Sequence, residues 1–184
     1  MNAKGSAGAL SAPGILFAVL GLAAMLAPFM TLAANRIVAG DDIVAWRLAE
    51  PGVTLPGLLS LAAGLALGLL AAWPRIRMAG AALGLAGLLW LLMAGTPNLL
   101  AGAGEYARVS PAAGFWCLLA VFILLMSDAL GNLAPGPLAR AALLIAALAA
   151  LTLVLWSGAL SDLSIMQEYA GRKPAFIDAF VRHL

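Results

Sequence analysis

The chain contains five long stretches without a charged side chain, and together they cover about two thirds of its length. They are residues 5–35, 51–74, 78–104, 109–127 and 141–161. A helix rises about 1.5 Å per residue, so about 20 apolar residues cross a hydrocarbon layer about 30 Å thick. A Lys, Arg or Asp side chain at the centre of that layer costs about 2.5 to 3.5 kcal/mol. The pattern therefore predicts membrane-spanning helices.

These stretches predict an all-α fold, an integral membrane bundle of five transmembrane helices. The spans are placed at about residues 13–34, 55–73, 78–95, 112–130 and 138–160, after a lead of residues 1–12 and before an amphipathic tail of residues 161–184. Pro28 is expected to kink the outer half of the first span, because proline removes a helical hydrogen bond. A cleaved signal peptide is the alternative, but the first apolar run is longer than the apolar region of about 7 to 15 residues in such peptides. We therefore predict an uncleaved first helix.

Two polar segments are predicted to lie on the membrane surface. Residues 35–50 interleave charged with apolar side chains, which predicts a short surface helix. In the tail, Glu168 and Arg172 stand four residues apart, as helical ion pairs do, and Pro174 is well placed at a helix start. The tail is therefore expected to form two short amphipathic helices at the interface.

The second and third spans are predicted to be antiparallel neighbours, because only the short basic turn of residues 74–77 joins them. Small residues recur on both spans at helical spacing, and such rows let helix backbones approach closely. The second span carries Ser60, Gly64, Gly68 and Ala72, and the third carries Gly80 and Gly84. We expect these rows to pack within the bundle rather than between copies of it.

Composition and charge exclude several classes of protein. Hydrophobic residues make up 64% of the chain and charged residues 10%, against about 25% in soluble proteins, and the mean hydropathy is +1.05. The net charge of +2 is spread between the spans, so no nucleic-acid interface is predicted. Cys117 is the only cysteine and His183 lacks neighbouring metal ligands, so no disulfide, metal or cofactor is predicted. Without a phosphate-binding or catalytic motif, we predict that the chain is not an enzyme.

The basic residues set the predicted orientation. A cytoplasmic amino terminus places Lys4, Arg75, Arg77 and Arg140 inside, and the short turn with Arg75 and Arg77 carries the most weight in the positive-inside rule. The carboxyl-terminal tail is then periplasmic.

Asp128, at the inner end of the fourth span, is the ionisable residue nearest the membrane interior. We expect it to lie at the headgroup level and to pair with Arg140 or cap backbone donors; a proton or cation path is the alternative. The five tryptophans are interpreted as an interfacial belt, since four of them fall near span ends or in a loop. An aromatic cage for a quaternary ammonium ligand is the alternative for these tryptophans.

Several separated runs resemble the permease subunits of bacterial osmoprotectant ABC importers, the glycine betaine and choline class. The longest run is residues 157–172, SGALSDLSIMQEYAGR, which contains Asp162, Glu168, Tyr169 and Arg172. The shorter runs contain Asn35 and Arg36 after the first span, Arg108 before the fourth, Gly114, Phe115 and Trp116 at its start, and Asp128 at its end. These are the candidate functional residues that the resemblance implies.

The resemblance implies the amino-terminal membrane region of a permease in the bacterial inner membrane. Such a permease imports compatible solutes together with a transport domain, an ATPase subunit inside and a periplasmic solute-binding protein outside. The transport domain of that family begins just after the position of Leu184. The chain is therefore expected to be a fragment of a longer permease, or a separately encoded piece, that braces or regulates the transport domain.

Two other functions remain open. A self-standing membrane scaffold or oligomeric membrane protein would use the Gly64/Gly68 and Gly80/Gly84 rows as faces between subunits. A proton- or cation-coupled carrier would be centred on Asp128.

Overall fold

Apolar helices run back and forth between two ends of the molecule in the computed structural model, which describes residues 10–70 and 72–182. The helices are α1 (Ala12–Met25), α2 (Pro51–Gly68), α3 (Pro74–Leu100), α4 (Ala113–Leu133) and α5 (Pro137–Trp156). The short α2–α3 and α4–α5 connections lie at one end, named the hairpin end. A small β-sheet lies at the other, named the sheet end. Lys4 with the rest of lead residues 1–9, and His183, lie outside the described residues.

Helices α2, α3, α4 and α5 are each long and apolar enough to cross a membrane. They correspond to the second to fifth predicted spans, and α3 is longer than predicted at both ends. Helix α1 has only 14 residues, about 21 Å of helix, which is short of a full span. The structure is mostly helical with four helices of membrane-spanning length and composition, but the predicted bundle of five spans is not confirmed, because the first span is not the long helix that its apolar length indicates.

The outer half of that first stretch is a strand, so the predicted kinked helix is wrong. Helix α1 ends at Met25, and β1 (Pro28–Ala33) begins at the proline expected to bend it. Proline disfavours helical dihedrals in the residue before it and has no N–H for a helical bond. Phe29 and Met30 then bury their side chains in the core. Ending the helix before Pro28 and continuing as a strand avoids a proline inside the helix and buries Phe29 and Met30.

Strand β1 is the centre of a three-stranded antiparallel sheet, so the all-α prediction is also corrected. Its neighbours are β2 (Asp41–Val44) and β3 (Arg108–Pro111), in the order β2-β1-β3. Thr31 lies opposite Asp42 on one side and Ser110 on the other. A central strand has both edges paired, so this apolar segment leaves few backbone groups unsatisfied.

The surface helix predicted for residues 35–50 is likewise replaced. Those residues form a turn, then β2, then a 3₁₀ turn at Ala45–Arg47 before α2 begins. Ala45 and Leu48 are buried and belong to the core, whereas Ile37, Val38 and Trp46 are exposed, so only some of the apolar residues of this segment face the protein.

Helices α2 and α3 form the most extensive helix–helix contact, as the short turn between them predicts. A Cβ atom added to Gly64 would lie 2.7 Å from the Gly80 carbonyl oxygen, so the two backbones touch here. On α4, the Phe122 ring fills the space above Gly84, where an added Cβ would lie 2.1 Å from a ring carbon. The prediction that these rows pack inside the bundle is confirmed, and rows used in this way are not free to join subunits.

The last two helices differ from the bundle in their burial. Helix α5 has no buried residue along its length. The tail forms one helix, α6 (Ser164–Arg182), and not two, because Pro174 lies inside it rather than at a start. The i,i+4 pairs of Glu168 with Arg172 and of Asp178 with Arg182 stand on either side of Pro174. Such pairs support a helix by about 0.3 to 0.5 kcal/mol each, so they offset the proline only in part.

All five tryptophans are exposed on the protein surface. Trp46, Trp90, Trp116 and Trp156 lie towards the sheet end, and Trp73 lies in the α2–α3 connection at the hairpin end. The indole of Trp90 donates to the Val53 carbonyl oxygen at 2.8 Å. Exposed tryptophans at both ends of a bundle are typical of interfacial belts.

Candidate functional site

Helix α6 begins against the sheet, at a place that we name the junction, formed by Arg36, Arg108, Leu163, Gln167 and Glu168. The Nε of Arg36 lies 3.1 Å from Oε1 of Glu168. Arg108, on strand β3, donates from Nη1 to Oε1 of Gln167. Leu163, directly before α6, forms a parallel bridge with Val109 of β3. The junction therefore joins the tail helix to the sheet through backbone, polar and apolar contacts.

The apolar contact carries most of the stabilisation at the junction. Leu163 is 4% exposed and belongs to the core cluster, and burying a leucine contributes about 1.5 to 3 kcal/mol. The side chains of Arg36 and Glu168 are 58% and 34% exposed, and an exposed ion pair contributes about 0 to 1 kcal/mol. Leu163 thus holds the start of α6 in place, and the polar contacts set the direction in which the helix leaves.

A second polar cluster lies at the hairpin end and joins three helices. Arg77, three residues into α3, is 2% exposed. Its Nε donates to the Gly68 carbonyl oxygen at the end of α2, at 3.2 Å, and its Nη2 donates to Oδ2 of Asp128 on α4. Asn132 donates to the Asp128 carbonyl oxygen at 2.8 Å. A guanidinium at a helix carboxyl terminus also meets the negative end of the helix dipole.

The predicted partner of Asp128 was therefore wrong. Arg140 instead donates from Nε to the Pro135 carbonyl oxygen, at 2.9 Å. Arg140 is closer to Asp128 in sequence, but α4 packs against α3, and the start of α3 is beside the end of α4. The signal in the sequence was the position of Arg77, which follows Pro74 by three residues and so falls within the first turn of a helix that must run back into the membrane.

Neither cluster is a group of metal ligands. Within residues 10–70 and 72–182, no three His, Cys, Asp or Glu side chains stand close enough together to hold a metal ion. The junction contains guanidinium groups, one carboxylate and one amide, which can hold a helix in a fixed orientation. The hairpin-end cluster can hold three helix ends together.

The family comparison covers the hairpin-end cluster and part of the junction. Residues 11–166 match the family described as the N-terminal domain of the ABC transporter permease YehY. The chain belongs to this family. The match runs from the start of α1 through the sheet and α5 and stops within the first turn of α6, so it includes Arg36, Arg108 and Asp128.

Membership in the family identifies the chain as part of the membrane component of a transporter. Permeases of this kind act with an ATP-binding-cassette ATPase, and the ABC permease part of the resemblance is confirmed. No curated protein and no solved structure matches the chain.

The structure brings together some of the candidate residues of the sequence analysis and separates others. Arg36, Arg108, Glu168 and Arg172 come together, since Arg172 Nε lies 3.8 Å from Oε2 of Glu168. Asp128 lies at the opposite end of the bundle. Gln167 and Leu163 also belong to the junction and lie in the run that carries the resemblance, but they are not among the candidate residues that the resemblance implies.

The remaining candidates have structural surroundings near the sheet. Asn35 accepts hydrogen bonds from the backbone N–H groups of Ile37 and Val38, which closes the turn after β1. Phe115 is buried edge-on against Phe29, with ring centroids 5.7 Å apart, and Trp116 is exposed.

Two further candidates flank the junction, and the last marks a close approach of elements. Asp162 accepts from Gln167 through its backbone oxygen, and the Tyr169 ring lies 5.8 Å from Phe176 along α6. Gly114 lets the start of α4 approach the α1–β1 corner, since an added Cβ would lie 2.7 Å from the Pro28 carbonyl oxygen.

Proposed function

We propose that the chain is the amino-terminal membrane region of an ABC importer permease for compatible solutes of the glycine betaine and choline type. In this proposal the helical bundle and its sheet brace the transport domain of the permease, and α6 leads to that domain. The partners are a transport domain, an ATPase subunit on the cytoplasmic side and a periplasmic solute-binding protein, all in the bacterial inner membrane.

The single observation that supports the bracing role is the junction. Helix α6 leaves the core at Leu163, and Arg36 and Arg108 hold two consecutive residues of it, Gln167 and Glu168. Anything attached beyond α6 inherits that orientation through a continuous helix to Arg182. The three-stranded sheet is a rigid support for α6, because β1 is hydrogen-bonded on both edges.

The solute class is supported by the resemblance of residues 157–172 and of the shorter runs to osmoprotectant permeases. Family membership supports the permease itself, and the glycine betaine type is the more specific part of the proposal.

The solute is tested by co-expressing the chain with an osmoprotectant permease that lacks this region and measuring uptake of radiolabelled glycine betaine under osmotic stress. Uptake that rises with the chain present, and is competed by choline, supports the proposal. Equal uptake with and without the chain contradicts a bracing role. Uptake that rises but ignores excess betaine and choline contradicts the solute class.

The junction is tested in the same assay with the double variant Arg36→Ala/Glu168→Ala. We expect it to lose most of the uptake that the chain supports, because α6 loses the contact that sets its direction. The matched control is Asp178→Ala/Arg182→Ala, which removes an ion pair of the same helix away from the sheet, 2.7 Å between Nη2 and Oδ2. Equal loss in both variants would mean that α6 acts through its charge and not through the junction.

The scaffold alternative keeps one supporting observation, the exposed apolar surface of α5. The glycine rows cannot serve as the faces between subunits that this alternative needs, because Gly64, Gly80 and Gly84 are buried inside the bundle. Reading the coding DNA beyond Leu184 separates the two functions: further apolar spans in frame support the permease, and a stop codon with no adjacent transport-domain gene supports the scaffold.

A further inference from the structure

The loosely packed helix α5 leaves an apolar groove between itself and the bundle. Its volume is about 750 Å³, which is within the range of about 300 to 1,000 Å³ for small-molecule sites. At the hairpin end, the α4–α5 connection contributes Pro135 to the groove. Its walls come from three helices: Met78, Ala82 and Leu85 on α3, Met126 and Leu130 on α4, and Leu144 on α5.

The groove has the apolar lining of a site for part of a hydrocarbon chain. Residues from Met78 to Leu85 on α3, and from Arg140 to Ala147 on α5, extend about 10 Å along the helices from the hairpin end. Of the residues that the structure describes, only Ser127 and Arg140 place polar side chains on its wall. Apolar walls of this kind favour an apolar occupant, because a buried polar group would lack partners there.

One positive charge stands at the hairpin end of the groove. Arg140 lies in the first turn of α5, and its Nε donates to the Pro135 carbonyl oxygen. Among the described residues, neither Nη of Arg140 has a carboxylate partner. A guanidinium presents five donors in a planar fork, and a phosphate group accepts them in pairs.

The charge of Arg140 is not neutralised by the nearest acid. Asp128 is the only acidic residue on helices α2 to α5, and it is engaged by Arg77. Arg75, at the same end, is exposed and also has no ion-pair partner among the described residues. The hairpin end of the groove therefore carries uncompensated positive charge, which attracts an anionic group.

We propose that this groove binds an anionic phospholipid, with one acyl chain between α3, α4 and α5 and the headgroup phosphate on Arg140. A phosphate at the height of the α5 amino terminus would also meet the positive end of that helix dipole. Basic pockets between membrane helices are known to hold anionic headgroups by such contacts. This site is separate from the junction and does not depend on which solute the permease moves.

The test is a lipid titration of the purified, delipidated full chain in detergent, followed by native mass spectrometry. The probes are dioleoylphosphatidylglycerol and dioleoylphosphatidylcholine, which share acyl chains and differ in headgroup charge. We expect the first phosphatidylglycerol to bind at least about fivefold more tightly than phosphatidylcholine, the factor expected for one basic residue near a headgroup. Equal binding of the two lipids would overturn the proposal.

Variants assign the preference to Arg140. Arg140→Gln should abolish the preference, and Arg140→Lys should keep most of it because the charge remains. Arg75→Gln is the matched control, since it removes a charge from the same end without touching the groove, and it should keep the preference. If Arg75→Gln and Arg140→Gln lose the preference for phosphatidylglycerol equally, the preference comes from the overall surface charge of this end, and the proposed site is wrong.

A groove-filling variant tests the acyl chain separately. Ala147 lies on the groove wall of α5, and Ala147→Phe should weaken the binding of both lipids while circular dichroism stays unchanged. Unchanged binding of both lipids would place them elsewhere. A lipid-free dimer that Ala147→Phe disrupts would show that a second copy fills the groove, and would also overturn the proposal.

Discussion

Arg75 and Arg77 stand two residues apart in the same turn, yet only Arg77 is buried. Its burial is tolerated because the Gly68 carbonyl oxygen and the Asp128 carboxylate accept its donors. Removing one member of a buried ion pair leaves the other charge desolvated and unpaired, which is the costly outcome. The pair therefore holds α2, α3 and α4 together mainly because separating its two charges leaves one of them buried and unpaired; the attraction within the pair contributes less.

We predict that Asp128→Ala lowers the free energy of unfolding by about 3 kcal/mol, at the low end of the range for a broken buried pair, because Asp128 is partly exposed. Denaturant or thermal unfolding in detergent measures this. Arg75→Ala, the exposed neighbour, should change it by less than about 0.5 kcal/mol. The double variant Arg77→Met/Asp128→Leu should recover most of the loss. A larger loss for Arg140→Ala than for Arg77→Ala would restore the partner predicted from sequence.

We also predict that Gly114→Ala destabilises the chain by about 1 to 3 kcal/mol, since its Cβ would lie within 3 Å of the carbonyl oxygens of Ala24, Ala27 and Pro28. Backbone atoms cannot rotate away as a side chain can. Gly131→Ala in the same helix is the control, because nothing lies within 4 Å of its added Cβ. That change should be neutral or stabilising by up to about 1 kcal/mol. Equal effects of the two substitutions would argue against the close approach.

At the scale of elements, the difference between β1 and a helix decides how the sheet end is built. The six residues of β1, all apolar except Thr31, pair with β2, which follows closely in the sequence, and with β3, which comes from a distant part of the chain. In a membrane helix the backbone N–H and C=O groups of these residues would form hydrogen bonds only within the helix. As a strand they also pair with β2 and β3. Val109 of β3 then forms the bridge to Leu163.

Cross-linking tests the strand directly. Thr31 and Ser110 are opposite each other in the β1–β3 ladder, where antiparallel Cα atoms are about 4.5 to 5.5 Å apart, within the range for a disulfide. In a Cys117→Ser background, Thr31→Cys/Ser110→Cys should form a disulfide on mild oxidation. Thr31→Cys/Ser127→Cys, with the second cysteine near the hairpin end, should not. Absence of a cross-link in the first pair would favour the helix predicted from the sequence.

At the scale of the whole molecule, Leu10, before α1, and Leu163, before α6, lie at opposite ends of the bundle. Leu10 bridges to Leu70 at the hairpin end, and Leu163 bridges to Val109 at the sheet end. The helix–strand unit of α1 and β1 thus reaches from one end to the other although α1 alone is short. Arg75, Arg77 and Arg140 all lie at the hairpin end, so the positive-inside rule predicts that this end is cytoplasmic.

Labelling of intact cells with a membrane-impermeant maleimide tests this orientation. In the Cys117→Ser background, Tyr106→Cys at the sheet end should react from outside, because Tyr106 is 73% exposed. Arg75→Cys should react only after the membrane is permeabilised. The reverse pattern would invert the orientation, and labelling of both positions from one side would contradict a bundle that crosses the bilayer between its two ends.

The sequence by itself determined the membrane environment, the helical character, the α2–α3 hairpin and the use of the glycine rows. These follow from local quantities: the cost of a charge in hydrocarbon, the rise of a helix and the length of a turn. It also carried the resemblance to ABC permeases, which the family match confirms for residues 11–166. The predicted boundaries are wrong at two prolines: Pro28 begins a strand, and Pro174 lies inside a helix.

Only the tertiary structure decided which segments meet. The sheet joins residues 28–33 with residues 108–111, and Asp128 finds Arg77 instead of the nearer Arg140. Period and hydropathy cannot distinguish a strand from a helix in a short apolar run, because both bury the same side chains. Ion-pair partners follow from which helices are neighbours, and neighbouring helices are set by packing across the whole bundle. The junction exists for the same reason, since Arg36 and Glu168 are brought together by the fold and not by their spacing in the sequence.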